Sequence, residues 1–275
     1  MKLHIKGGAP LCGTLEIDSS KNALLPIIAG TILTEGITTI KKVPRISDIE
    51  NLLKILVTLG IKARFHNGDL VIDTSDIVYS AVTGGTASKI RGSIFVLGAI
   101  IGRFGKASVP YPGGCAIGER PIDLHLQGLR DLGVRIEEKN EVISCKQGDS
   151  HIDTDLYLDF PSVGATENFI LASVIGKKRV RIVNAAREPE VEDLCNFLRS
   201  CGATICGAGT SVITIHGVKA LHGTIYTAIP DRINPGRINM APLAAESVHL
   251  PHDARGRPTK GFRQAGLGES DGVRF

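Results

Sequence analysis

The ten residues PGGCAIGERP, Pro112 to Pro121, place a thiol on a loop of small residues with a carboxylate and a guanidinium close behind it. Gly113, Gly114 and Gly118 let the backbone turn tightly and approach a ligand, because glycine reaches positive φ without steric cost. A cysteine becomes a useful acid or nucleophile when nearby positive charge lowers its pKa and solvent reaches it, and Arg120 shares the loop with Cys115. The competing reading is an ordinary free cysteine in a glycine-rich turn. The flanking charges and the repeat described next favour the reactive one. His125 follows the loop at the start of a helix. It has the chemistry to orient a ligand or Cys115, and a solvated or core-satisfied histidine fits the sequence equally well.

The elements that must position this loop are written three times, at a period of roughly 70 residues. Gly36, Gly105 and Gly176 each precede a β-rich stretch, and Gly60, Gly133 and Gly202 each close an amphipathic helix: DIENLLKILVTLG, DLHLQGLRDLG and VEDLCNFLRSCG. Leu52, Ile55, Leu56 and Leu59 recur at helical spacing, and the terminal glycine sits where a C-cap belongs. A hairpin-like pair of short strands follows each helix: KARFHNGDLVID, RIEEKNEVISCK and TICGAGTSVITIHG. The first helix of each unit, KNALLPIIAGTIL, KIRGSIFVLGAIIG or ATENFILASVIG, is apolar on nearly all sides and therefore belongs inside. The expected fold class is α/β (α+β). Helix-strand-helix-strand-strand repeats with pseudo-threefold symmetry would form one domain with helices at its centre.

The starts of the inner helices bear on function. Ser19 and Ser20 precede the first, Thr86 and Ser88 the second and Ser162 the third, all favoured N-cap types. Helix N-termini offer free amide donors and partial positive charge to anions. Lys21 and Arg91 add a fixed cation near two of the starts. Plain capping of core helices is the alternative. The second unit departs from its siblings where the thiol lies: 105 to 133 is 28 positions, against 24 from 36 to 60 and 26 from 176 to 202. The longest strand-to-helix connection is thus the one with the cysteine, and loops on a rigid scaffold carry function.

Composition narrows the partners. With 43% hydrophobic and 22% charged residues the chain is globular, and a net charge of +4 without a basic run or many aromatics disfavours nucleic acid. The start MKLHIKGGAP lacks the apolar stretch of a secretory signal, and the apolar segment around Ile94 to Ile101 is too short to span a bilayer. A cytoplasmic protein with no membrane partner is expected. The cysteines at 12, 115, 145, 195, 201 and 206 form no CxxC pair, so no zinc ribbon or dithiol site is supported. No metal or cofactor is called for. GAIIGRFGKAS fails as a phosphate loop because Ile100 and Ala107 stand at required positions.

The motifs SSKNALLP, RGSIFVLG, PGGCAIGERPIDLHLQGL, LDFPSVGATEN, NAAREPEVEDL and IPDRI resemble those of the enolpyruvyl transferases that act on UDP-N-acetylglucosamine, the 1-carboxyvinyltransferases of peptidoglycan precursor synthesis. The resemblance runs from the first residues to about Ile233. It implies an inside-out α/β barrel domain and transfer of the enolpyruvyl group of phosphoenolpyruvate to the sugar 3-hydroxyl, with release of phosphate. By that likeness Cys115 is the proton donor and the target of the epoxide fosfomycin. Lys21, Asn22 and Arg120 would hold phosphoenolpyruvate. The UDP-sugar would be held by Arg91, by Arg120, Pro121, Ile122, Asp123 and Leu124, and by the turn Phe160, Pro161, Ser162, Val163 and Gly164. The closest rival in chemistry, the shikimate-pathway enolpyruvyl transferase, lacks the PGGC loop.

The resemblance also implies two domains of similar build, of which this chain supplies one. Residues 1–19 would belong to the second domain, 20–230 would form the repeat domain, and 231–275 would be a divergent, disordered tail, where Asn234, Pro235, Gly236 and Arg237 interrupt any helix. The family's general base and further arginines would then lie on the absent half. A truncated or frame-shifted relative, or a fragment, is expected, weakly active or inactive alone unless a complementing second-domain polypeptide is supplied. A non-catalytic UDP-sugar-binding relic is the alternative.

Overall fold

The computed structural model describes residues 17–82, 93–111, 122–148 and 152–232. Residues 19–229 form one compact unit; of the other unit, 1–18 with 230–275, the described part includes a hydrogen bond from Asp231 N–H to Asp18 C=O at 2.9 Å. The first repeat comprises α1 (Lys21–Gly30), a 3-10 turn, β1 (Thr34–Glu35), β2 (Ile37–Lys41), α2 (Ser47–Thr58), β3 (Lys62–His66) and β4 (Asp69–Asp73). The second comprises α3 (Ser93–Phe104), β5 (Lys106–Pro110), α4 (Asp123–Asp131), β6 (Val134–Lys139) and β7 (Val142–Gln147). The third comprises β8 (Thr154–Tyr157), α5 (Val163–Ser173), β9 (Arg179–Val183), α6 (Pro189–Ser200), β10 (Thr204–Cys206) and β11 (Val212–His216), followed by β12 (Leu221–His222) and β13 (Ile225–Thr227).

Each repeat folds its strands into its own antiparallel sheet, ordered β2-β4-β3, β5-β7-β6 and β9-β11-β10. The hairpins β3-β4 and β6-β7 turn through two residues at positive φ, Asn67 with Gly68 and Asn140 with Glu141, as a right-twisted tight hairpin requires. Gly60, Gly133 and Gly202 all take positive φ just beyond α2, α4 and α6, the left-handed position that ends a helix. Two sheets gain a further strand that sequence alternation does not announce. β8 pairs parallel to β9 on one, and β13, from the end of the unit, pairs parallel to β2 on another. Both are too short to show a period.

The apolar helices α1, α3 and α5 lie inside, and α2 and α4 bury one face only. The sequence reading treats α6 as a third one-sided helix, but it also buries Glu190 and Asp193. The inner helices touch where glycine removes a side chain. A methyl group on Gly98 would overlap the Asn168 amide and stand 2.5 Å from the Asn168 carbonyl oxygen; one on Gly102 would stand 2.5 Å from the Leu171 carbonyl oxygen and 3.0 Å from Leu33. Gly164 faces Phe95, and Gly30 faces Leu171. α3 and α5 are therefore parallel, in register at the repeat period, and the C-terminal end of α1 meets theirs.

A buried carboxyl ties the end of the unit to its beginning. Asp193 accepts hydrogen bonds from Tyr226 O–H at 2.6 Å and Ile229 N–H at 3.0 Å, and the Ile229 carbonyl accepts from Ser20 N–H at 2.8 Å, directly before α1. The Tyr226 ring meets Phe197 edge-on at 5.4 Å. Burial pushes Asp193 up to about 6, with Glu190 and Glu192 adding to the rise and its two donors opposing it.

Two predictions follow from this packing. Alanine is favoured over glycine in a helix by about 1 kcal/mol, but no rotamer change moves a backbone oxygen out of the way. Gly98→Ala should therefore destabilise the protein by about 2 kcal/mol net, read from the urea midpoint. Asp193 keeps its proton to about pH 6 when folded, whereas the unfolded chain releases it near pH 4. The native state binds more protons in that window, so its contribution, roughly 2–3 kcal/mol, is full below pH 4 and lost as pH rises through 6. Asp193→Asn should flatten the stability profile there; an unchanged slope would remove Asp193 as its source.

Candidate functional site

Lys21 and Asn22 open α1 and are exposed. The preceding Ser20 is buried and held by its amide to Ile229, so the helix start is placed by the last residue of the unit rather than by a side-chain cap. Lys21 Nζ lies 3.1 Å from Asp48 Oδ2 in the first turn of α2, and both side chains are half exposed. An ion pair this wet contributes little to stability and is easily exchanged for an anionic ligand. The motifs do not mark Asp48, because an acidic residue opening the next amphipathic helix looks like ordinary first-turn charge.

A second group of site residues meets where α4 and α5 begin. Ile122 is buried as the residue before α4, Asp123 is exposed, and Leu124 and His125 are partly buried. Across from them Phe160 and Pro161 are exposed, and Ser162 caps α5 by accepting the Ala165 N–H at 3.4 Å. Val163 and Gly164 form the first turn, whose amides have no acceptor within the helix. Gly164 lies under the His125 ring, where an added methyl group would stand 3.4 Å from its Cε1. Asn168, fully buried one turn on, has its Nδ2 3.3 Å from His125 Nδ1. At its far end α4 is held by the buried Lys178, whose Nζ donates to the Leu132 carbonyl at 2.8 Å. Burial lowers the pKa of this lysine, and the carbonyls of a helix C-terminus are a favourable partner for its charge.

The structure thus sets the first turn of α4 against α5 through His125, which meets Gly164 and Asn168, and places Lys21 and Asn22 at the start of another inner helix. Cys115, Arg91, Arg120 and Pro121 lie outside the described residues, as does the expected tail from 233 onward. The sequence reading passed over Glu167 and Asn168, a polar pair inside an apolar helix. Glu167 is buried with Oε1 unpartnered, and burial, reinforced by Glu190 and Glu188, raises its pKa well above the carboxylate range. Among the described residues no group of three or more His, Cys, Asp or Glu could hold a metal ion, and no helix is long and apolar enough to cross a membrane.

Residues 5–264 match the EPSP synthase (3-phosphoshikimate 1-carboxyvinyltransferase) family. The chain belongs to this family. The match continues past Ile233, where the motifs of the sequence reading stop. Proteins named UDP-N-acetylglucosamine 1-carboxyvinyltransferase 2 are among its relatives within that family. The one from Caldanaerobacter subterraneus subsp. tengcongensis is 49% identical over 235 residues, 86% of this chain and 56% of the relative. Those from Carboxydothermus hydrogenoformans and Staphylococcus aureus are 44% and 42% identical, over 89% and 90% of this chain and 58% and 59% of the relatives. The chain therefore spans a little over half their length. The enolpyruvyl transferase NikO from Streptomyces tendae shares the fold with a TM-score of 0.76 at 22% identity, over 92% of this chain and 61% of that one. EPSP synthase from Acinetobacter baumannii does so with a TM-score of 0.67 at 17% identity, over 82% and 52%. The resemblance drawn from the motifs and the mixed α/β fold class both agree with these relatives.

The described thiols yield a prediction. Burial pushes Cys145 and Cys195 up to about 12 and Cys201 up to about 11, whereas Cys206 is exposed. Since the thiolate is the reactive form, iodoacetamide at pH 8 should alkylate Cys206 and spare the other three in folded protein, read by peptide mass spectrometry. Equal labelling of all four would contradict this burial.

Proposed function

We propose that this chain provides the thiol-bearing and nucleotide-binding half of an enolpyruvyl transferase that joins phosphoenolpyruvate to the 3-hydroxyl of UDP-N-acetylglucosamine. The observation that carries the reading is the junction of α4 and α5. There His125, in the first turn of α4, stands over Gly164 in the first turn of α5, whose opening amides suit a diphosphate. The names of relatives 42–49% identical, UDP-N-acetylglucosamine 1-carboxyvinyltransferase 2, support this acceptor and the transfer of a carboxyvinyl group.

The chemistry assigns roles to the residues. The sugar 3-oxygen bonds to C2 of phosphoenolpyruvate as an acid protonates its methylene carbon; the tetrahedral adduct then loses phosphate by C–O cleavage as a proton leaves the new methyl group. Cys115 is the acid, and Arg120, five residues on in the sequence, is assigned to keep the thiol ionisable and to bind the phosphate. Lys21 and Asn22 bind phosphoenolpyruvate, Lys21 by leaving Asp48 for the ligand's charge. Arg91 and Arg120 to Leu124 hold the UDP-sugar with Phe160, Pro161, Ser162, Val163 and Gly164. The base that takes the sugar hydroxyl proton and further cations come from a complementing second domain. Small anionic substrates, with no nucleic acid or membrane partner, are what such a site takes, and the cytoplasm is where they are found.

Calorimetry on the full chain should show binding of UDP-N-acetylglucosamine and none of shikimate 3-phosphate. Phosphate release from phosphoenolpyruvate should rise when a second-domain polypeptide from a relative is added, and Cys115→Asp should keep release while abolishing alkylation by fosfomycin. A folded sample that binds shikimate 3-phosphate and not the UDP-sugar would overturn the reading.

A further inference from the structure

Asn168 sits in the middle of α5 with 0% exposure, and its two amide ends meet different surroundings. Oδ1 occupies the space left by the missing side chain of Gly98, facing the glycine Cα with no hydrogen-bond partner. Nδ2 lies 3.3 Å from His125 Nδ1. This orientation is the better of the two amide flips. An oxygen against Cα hydrogens gains a weak C–H···O contact, whereas an NH2 group there would bury two donors against carbon. An amide nitrogen can only donate, so His125 Nδ1 must be the lone-pair side of the ring, and in the neutral imidazole the proton then sits on Nε2.

The other edge of the ring covers the first turn of α5. A methyl group on Gly164 would lie 3.4 Å from Cε1 and 3.6 Å from Nε2, so glycine leaves the imidazole edge directly above the helix start. Phe95 from the first turn of α3 borders the same glycine. We infer that Asn168 is a positioning residue that fixes His125 as an Nε2–H donor over the start of α5, adding a hydrogen bond to a phosphate oxygen of the bound nucleotide. The inference rests on the UDP-sugar reading above and deepens it. The side-chain donor and the α5 amides converge on one anion, and the buried Asn168 pays for its stranded oxygen by setting the tautomer.

The test uses the full chain labelled with 15N-histidine and long-range proton–nitrogen correlation, with His125 assigned by the loss of its signals in His125→Leu. Wild type should show Nδ1 unprotonated and Nε2 protonated, and UDP-N-acetylglucosamine should shift the Nε2 resonance. Asn168→Asp offers an acceptor instead and should move the proton to Nδ1. Calorimetry should find UDP-sugar binding weakened roughly tenfold or more in His125→Leu and partly restored in His125→Gln, whose amide can donate from the Nε2 position. If Asn168→Asp fails to fold, the wild-type tautomer and the His125 pair still decide. A wild-type ring protonated on Nδ1, or UDP-sugar bound equally well by His125→Leu, would overturn the inference and leave the proposed function standing. A folded wild type that does not bind the UDP-sugar would overturn both.

Discussion

The constraint on which the structure turns is the backbone-to-backbone contact of the inner helices. Gly98 and Gly102 let α3 lie against the carbonyls of Asn168 and Leu171, closer than any side chain allows. That approach sets the parallel register of α3 and α5, and the register aligns Phe95 with Gly164 at one end and Gly102 with Leu171 at the other. Helices that pack in parallel present their starts together. The anion-seeking ends of successive repeats are thereby collected, which an alternating bundle would scatter to opposite poles.

Everything that bears chemistry is attached to this frame by a small number of polar ties. α1 and α4 are each tied by a contact distant in sequence: the start of α1 by the bond from Ser20 to Ile229, itself steadied by Asp193, and the far end of α4 by Lys178. Each tie buries a charged or polar group whose desolvation is offset by a specific partner. α6 is the clearest case: Asp193 is buried because Tyr226 of the returning strand β13 supplies a phenol and Ile229, just beyond it, an amide.

Much of the architecture was legible in the residues. The glycines at 60, 133 and 202 end helices as the repeat requires, and the apolar character of KNALLPIIAG, SIFVLGAIIGRF and VGATENFILAS marks the inner helices. The strands β8 and β13 were not, because a strand of three or four residues has no period to read and its pairing is made across the chain. The same holds for Asp48, whose relation to Lys21 depends on how α2 leans on α1. Glu167 and Asn168 were visible as polar letters in an apolar helix, but whether they faced solvent, a ligand or the core was not.

What the sequence by itself determined was the local grammar: which segments are helical, where each stops, that the unit recurs three times, and which motifs align the chain with the enolpyruvyl transferases. These follow from propensity, periodicity and steric rules that act over a few residues. What only the tertiary structure decided was the pairing of partners far apart in the chain, such as Asn168 with His125, Ile229 with Ser20 and Asp193 with Tyr226. Hydrogen bonds between buried groups depend on distances of tenths of an ångström, and those distances are set by the close packing of the inner helices, which no single segment encodes.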